Sequence, residues 1–191
     1  MASFGNISAS GGVYVGVAAD SIVANPGTIT GSIGVILRGN NLSELLAKIG
    51  IRFETVKSGA FKDILSPDRA LSPEERELLQ SLIDSSYDQF VGAVAEGRGL
   101  DKDKVRTFAD GRVFSGAQAK DLGLVDELGD EEQARLVAAR LAELDEERCR
   151  PVTLGKPRKR LLQGLPGSSL LLRLDQLLTT ELELSGQPLW M

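Results

Sequence analysis

The stretch "NISASGGVYVG", residues 6–16, places a serine, Ser10, directly before two glycines and a segment rich in valine. Valine and tyrosine favour a β-strand. Gly12 and Gly16, four residues apart, would instead let a helix pack closely against a neighbouring element. In the helical interpretation Ser10 lies at a helix N-terminus, where free backbone amides stabilise negative charge. The stretch alone leaves both interpretations open, and a serine before two glycines is usually part of a simple turn.

The composition limits the chemistry that this serine could perform. The chain has 191 residues, a net charge of -5 and no histidine. Without histidine, a Ser-His-Asp triad and nearly all zinc hydrolase sites are excluded. Lysine is then the leading candidate for a catalytic base, because its ammonium group can lose its proton when buried. The acidic balance argues against nucleic acid as a partner. The single cysteine, Cys149, suggests no metal site, and no cofactor is predicted.

A candidate lysine, Lys62, lies in the segment "SGAFKDILSP", residues 58–67. It follows a segment, residues 51–57, in which apolar and polar residues alternate as in a β-strand. Its neighbours Phe61 and Ile64 are apolar, so one interpretation is a partly buried lysine, in which burial favours the neutral amine. The alternative is a surface lysine whose aliphatic stem covers apolar surface, as most lysines do.

The pattern along the chain predicts an α/β layered domain, since short strands alternate with helices. Short strands are expected within residues 20–36, followed by a short helix capped by Asn41. A long helix is expected from the cap Ser72 to about Gly97, because the stretch "SPEE" has capping-box spacing and apolar residues recur at helical intervals. A further helix over residues 130–147 completes the main body.

The character of the sequence changes near residue 150, and we place a domain boundary there. Residues 1–150 form the main body, and residues 151–191 form a tail with the basic run "KPRKR" and a leucine-rich segment. The leucine stripe favours packing on the protein itself or on a partner subunit, and the alternative is peripheral contact with an anionic membrane surface. The sequence predicts neither a secretory signal nor an apolar run of the roughly 18 residues that would span a bilayer.

Four segments of the chain resemble the signal peptide peptidase A family of bacterial and plastid serine peptidases. They are residues 6–35, residues 53–67 with "FETVKSGAFKDILSP", residues 71–99 with "LSPEERELLQSLIDSSYDQFVGAVAEGRG", and residues 109–129 with "ADGRVFSGAQAKDLGLVDELG". The resemblance covers residues 2 to about 130, in order and with the expected spacing. It implies a Clp protease/crotonase-like fold and a Ser-Lys dyad, which suits a chain without histidine.

The resemblance also implies a role for each matching residue. Ser10 corresponds to the nucleophile and Lys62 to its general base. Ser32, in "TGSIGV", corresponds to a serine that orients the lysine, and the amide of Gly11 to one oxyanion donor. The implied activity is that of a serine endopeptidase that hydrolyses signal peptides or other unfolded peptides.

The resemblance further implies features outside this dyad. Full-length family members are membrane-associated and assemble into rings, so a homo-oligomer is the expected partner. They also carry strands and helices before the serine motif, which we expect this chain to lack together with the second oxyanion donor. Two alternatives stay open: a non-catalytic assembly module, and a crotonase-type acyl-CoA enzyme, in which Lys62 would have no role.

Overall fold

The computed structural model describes residues 1–152, in which short strands alternate with helices. The strands and helices follow the chain in a fixed order: β1 (Ala2–Phe4), β2 (Ile7–Ala9), α1 (Gly11–Gly16), β3 (Ile22–Ala24), β4 (Ile29–Gly31), α2 (Ser43–Lys48), α3 (Pro73–Arg98), α4 (Lys102–Arg106), β5 (Val113–Ser115), α5 (Gly116–Leu122), β6 (Glu127–Leu128) and α6 (Glu131–Leu141). This order confirms the predicted α/β class.

The strands of the described part form two small sheets. One sheet has the order β1-β3-β6 and is parallel throughout. Its central strand β3 is fully buried, which explains why all three of its residues are apolar. In the other sheet β2 pairs in parallel with β4, and β4 pairs antiparallel with β5. Ala9 lies opposite Gly31 in this second sheet, so β2 and β4 end side by side.

The core joins the first sheet to α1 and α3. Val13 and Val17 from the α1 region, Ile22 from β3, and Val91 and Val94 from α3 are all buried in one cluster. Tyr14 and Phe90 connect the two helices by an edge-to-face contact with ring centroids 5.3 Å apart. The interface is close, because a Cβ added at Gly97 of α3 would collide with the backbone carbonyl of Val17.

Three predicted elements are confirmed. α3 begins with the predicted capping box: the Ser72 hydroxyl accepts from the Glu75 amide at 3.2 Å, and the Glu75 carboxylate accepts from the Ser72 amide at 2.9 Å. α3 ends before Gly99, whose left-handed conformation terminates the helix. The valine-rich segment after Ser10 is helical as α1, and α6 forms within the expected range.

Two local predictions are wrong. Residues 51–57 form no strand; every one of them is exposed, and none pairs with a sheet. The alternating pattern was misleading, because a strand needs a neighbour for its backbone groups. Asn41 does not cap α2: the helix begins at Ser43 after Leu42, and the Asn41 side chain accepts from the Ser43 amide instead.

The structural description ends at residue 152, so the basic run and the leucine-rich segment of the tail lie outside it. In residues 1–152 no helix has the length and apolar character needed to cross a membrane.

Candidate active site

Ser10 lies on a sharp turn between β2 and α1. Its backbone has φ 51° and ψ -113°, a conformation that a residue with a side chain rarely adopts. Two hydrogen bonds hold this turn: the Ser10 amide donates to the Gly31 carbonyl at 2.8 Å, and the Ser10 carbonyl accepts from the Tyr14 amide at 3.0 Å. A serine on a strained strand-to-helix turn has the local geometry of a nucleophile elbow.

The hydroxyl of Ser10 is not used to cap its own helix. Ser10 occupies the position before α1, yet its side chain makes no capping hydrogen bond. Ser72 and Ser115, which precede α3 and α5, both have extended backbones and both form complete capping boxes. The positive φ of Ser10 therefore separates it from the capping serines of the same chain and leaves its hydroxyl available for other contacts.

The two glycines that follow Ser10, Gly11 and Gly12, are explained by different local features. A Cβ added at Gly12 would lie 2.8 Å from the Ser8 hydroxyl, so the turn needs a residue without a side chain there. Gly11 is the first residue of α1, and the first amides of a helix have no carbonyl partner within it. The Gly11 amide thus lies next to Ser10, where an acceptor could reach it.

Ser32 directly follows β4, as Ser10 directly follows β2, and both serines have a positive φ. It has a φ of 53°, and its amide donates to the Arg112 carbonyl at 2.7 Å. Because Ala9 and Gly31 are paired in register, Ser10 and Ser32 follow neighbouring parallel strands at the same edge of the sheet. The structure brings these two predicted site residues together through their backbones. In the described part of the chain no side-chain hydrogen bond joins them.

Lys62 has the exposed environment of a surface lysine. It lies in a turn, where its amide donates to the Gly59 carbonyl at 3.2 Å, and its side chain is exposed rather than partly buried. The reason is local: residues 51–57 form no strand over it, and its neighbour Phe61 is itself 47% exposed. Within residues 1–152 the Lys62 ammonium donates no hydrogen bond to Ser10 or Ser32, so the structure does not join the predicted dyad.

A cluster of charged residues lies beside Lys62, and we call Lys57, Asp63, Arg69 and Glu75 the ion cluster. The Arg69 guanidinium contacts both Glu75 oxygens at 2.5 and 2.7 Å and an Asp63 oxygen at 2.9 Å. Lys57 contacts Asp63 at 2.6 Å. Hydrogen bonds from Arg69, and secondly from Lys57, hold the pKa of Asp63 well below its usual range. Arg69, helped by the Ser72 amide, lowers the pKa of Glu75 to about 2.

The ion cluster was not predicted from the sequence. Glu75 was expected only as part of the capping box, and Arg69 was not singled out at all. The available signal was an arginine three residues before a capping serine, close to a carboxylate that directly follows the candidate lysine. This spacing permits ion pairs near the start of a helix, but it does not establish that the ion pairs form.

A cleft of about 470 Å³ opens on the other side of Arg69. Neither Ser10 nor Lys62 lines it, so it is separate from the predicted dyad. Its walls combine apolar side chains with charged and amide groups: Leu37, Leu65, Leu71, Leu79 and Ile83 lie beside Arg38, Asn40, Asn41, Arg69, Arg76 and Gln80. In residues 1–152 no group of three or more potential metal ligands comes together.

Ser10 lies on a strained strand-to-helix turn within a mixed α/β domain, an arrangement that is also found in enzymes with a serine nucleophile. The model of peptidase family S49 matches residues 1–145, and the chain belongs to this family. The family match and the mixed α/β architecture agree with the Clp protease/crotonase-like fold predicted from the sequence.

Individual relatives extend this match. The chain is 56% identical to slr0021 of Synechocystis sp., which is named as a candidate protease. The match covers all of this chain and 72% of the relative. It is 48% identical to a candidate signal peptide peptidase SppA of Enterococcus faecium, over 69% of this chain and 38% of the relative. It is 37% identical to the chloroplastic serine protease SPPA of Arabidopsis thaliana, over 75% of this chain and 21% of the relative. The chain thus spans well under half of two of these three relatives.

Proposed function

We propose that the protein is a serine endopeptidase that hydrolyses signal peptides or other unfolded peptides, with Ser10 as the nucleophile and Lys62 as the general base. The observation that carries this proposal is the elbow at Ser10: a strained serine that does not cap its helix, beside a free amide and a second serine. Membership of peptidase family S49 supports the reaction class, and the lack of histidine leaves lysine as the available base.

The proposed reaction proceeds in two steps. The neutral amine of Lys62 takes the proton of the Ser10 hydroxyl while the Ser10 oxygen attacks the peptide carbonyl carbon. The Gly11 amide donates to the oxyanion of the tetrahedral intermediate. Lys62 then returns the proton to the leaving amine as the C–N bond breaks, which leaves an ester on Ser10. In the second step water attacks the ester carbonyl carbon while Lys62 takes one of its protons, and Lys62 returns that proton to the Ser10 oxygen as the C–O bond breaks, which leaves free Ser10 and a carboxylic acid product.

The mechanism requires Lys62 to approach Ser10. A nucleophile and its base work at hydrogen-bond distance, about 2.6–3.2 Å. The Lys62 side chain is exposed and makes no competing ion pair among the described residues, so it is available for such an approach. We assign Ser32, at the same sheet edge as Ser10, to the orientation of the lysine ammonium once it arrives.

We further propose that the working form is a homo-oligomer. The segment before Lys62 carries large apolar side chains that are about half exposed or more: Leu45 (54%), Ile49 (59%), Ile51 (48%), Phe53 (57%) and Val56 (102%). Several large apolar side chains exposed within one short segment are typical of a surface that another protein covers. A second copy of the chain would bury them, and light scattering of the 191-residue protein tests this by measuring its molar mass.

Hydrolysis of a quenched fluorescent, signal-like peptide by the full 191-residue chain tests the peptidase proposal. We expect Ser10→Ala and Lys62→Ala each to lower kcat/KM by at least about 10³-fold. The matched controls are Ser3→Ala and Lys48→Ala, which change exposed residues of the same types and should keep the wild-type rate. Full activity of either dyad variant contradicts the proposal. A folded wild-type chain without any hydrolysis favours the non-catalytic assembly module instead.

A further inference from the structure

The turn that carries Lys62 is attached to the rest of the molecule through the residue next to it. Asp63 directly follows Lys62, and three donors converge on its carboxylate: Lys57 Nζ at 2.6 Å, Arg69 Nη2 at 2.9 Å and Arg69 Nε at 3.2 Å. Arg69 Nη2 also donates to the backbone carbonyl of Asp63 at 3.2 Å. Arg69 therefore holds both the side chain and the backbone of the residue beside the candidate base.

Arg69 is itself fixed at a rigid point of the fold. Both of its Nη atoms donate to Glu75 in a two-pronged arrangement, at 2.7 and 2.5 Å. Glu75 lies in the first turn of the 26-residue helix α3, is only 3% exposed, and also accepts from the Ser72 amide in the capping box. A planar guanidinium that makes two parallel hydrogen bonds to a carboxylate has a defined orientation as well as a defined position. The connection runs from the start of α3 through Arg69 to Asp63.

The surrounding chain gives the Lys62 turn little other support. Residues 51–62 are all exposed and form neither helix nor strand. Leu65, at the end of the turn, has a φ of 65°, an unfavourable conformation for a residue with a branched side chain. Contacts outside the turn are therefore needed to keep its backbone in one arrangement, and Arg69 supplies three hydrogen bonds that do so, all to Asp63.

We infer that Arg69 is a positioning residue for the general base: it anchors the Lys62 turn to α3, so that the Lys62 amino group is held on a fixed backbone. This inference rests on the proposed Ser-Lys function. Arg69 makes no contact with Ser10, and its effect on catalysis is expected to pass through Lys62 alone. Arg69 makes this link through two carboxylates, Asp63 in the Lys62 turn and Glu75 in α3.

The test is a double-mutant cycle on the full chain, read out by the rate at which an alkyl fluorophosphonate modifies Ser10. In that reaction the Ser10 oxygen forms a bond to phosphorus, fluoride leaves, and the general base takes the hydroxyl proton. Arg69→Lys keeps the positive charge but cannot form the two-pronged contact. We expect it to slow the modification by about 10- to 100-fold, as small displacements of catalytic groups do. In a Lys62→Ala background, Arg69→Lys should cause no further loss.

Two controls separate positioning from a general structural effect. Arg106 also contacts two carboxylates, those of Asp88 and Asp103, and Arg106→Lys should leave the rate unchanged. Asp63→Ala removes the carboxylate at the other end of the connection, leaves only the backbone contact with Arg69, and should also slow the modification of Ser10. Urea unfolding of each variant verifies that the protein is folded when the rate is measured.

The outcomes are distinct. A loss in Arg69→Lys that disappears in the Lys62→Ala background supports the inference. A wild-type rate in Arg69→Lys, or an equal loss in both backgrounds, overturns it while the dyad stands. A wild-type rate in Lys62→Ala, or no modification of Ser10 in the wild type, overturns the proposed function and the inference with it.

Discussion

The strained backbone at Ser10 predicts an unusual ranking of two substitutions. Ser10→Ala and Ser10→Gly both remove the hydroxyl, which makes no capping hydrogen bond in the structure. They differ in the Cβ atom, which alanine keeps and glycine lacks. At φ 51° and ψ -113° a Cβ is strained, so the comparison isolates the energetic cost of the elbow.

The magnitude follows from two opposing effects. A residue with a side chain in such a conformation costs about 1–3 kcal/mol, and glycine avoids this cost. Glycine also gives the unfolded chain more conformational freedom, which costs about 0.5–1 kcal/mol relative to alanine. We therefore expect Ser10→Gly to be more stable than Ser10→Ala, by up to about 2.5 kcal/mol. For a chain of this size each 1 kcal/mol corresponds to a change in Tm of about 2–4 °C.

Urea unfolding followed by circular dichroism measures this difference directly. The matched control is the pair Ser3→Gly and Ser3→Ala in β1, where the residue is not among those with positive φ and glycine should be the less stable substitution. Ser32, with a φ of 53°, should behave like Ser10. The reasoning is refuted if Ser10→Gly is less stable than Ser10→Ala to the same extent as at Ser3.

Two further predictions concern α3 and its ion cluster. Gly97→Ala should lower the free energy of unfolding by at least about 1 kcal/mol, because the new methyl group would collide with the Val17 carbonyl. At Gly92 of the same helix a methyl group would make only ordinary contacts, so Gly92→Ala should raise the free energy of unfolding by up to about 1 kcal/mol. Equal effects of these two variants in urea unfolding would show that the helices are not in close contact. The lowered pKa values of Asp63 and Glu75 mean that their stabilising effect is complete above their ordinary pKa of about 4 and is lost as the pH falls towards 2. Unfolding measured from pH 5 to pH 2 should therefore show a smaller loss of stability in Glu75→Gln than in the wild type, and equal losses would contradict the ion pairing.

The parts of the fold that the sequence predicted correctly depend on local interactions. The start of α3 follows from a capping box within four residues, Ser72 to Glu75, and its end from a glycine that adopts a left-handed conformation. The segment after Ser10 was ambiguous, because valine and tyrosine favour strands while the packing of α1 against α3 favours a helix. That packing involves residues far apart in the chain, such as Tyr14 and Phe90, and no local pattern contains it.

In the candidate site, too, the features that depend on contacts between distant residues were not predicted from the sequence. Ser10, Ser32 and Gly11 were identified through a family resemblance, and the positive φ of both serines is a property that only the backbone reveals. The sequence left Lys62 open between partial burial and a surface position, and the structure shows it exposed, because residues 51–57 form no strand beside it in the described part of the chain. The contacts of Arg69 escaped prediction, since ion pairs between flexible side chains depend on tertiary geometry.

The central claim is that Ser10 is a nucleophile activated by Lys62. The most direct measurement treats the full chain with an alkyl fluorophosphonate and locates the adduct by peptide mass spectrometry. The account predicts a single major adduct on Ser10, which is lost in Ser10→Ala and formed at least about 10²-fold more slowly in Lys62→Ala. An adduct on another serine, or an undiminished rate in Lys62→Ala, would contradict it.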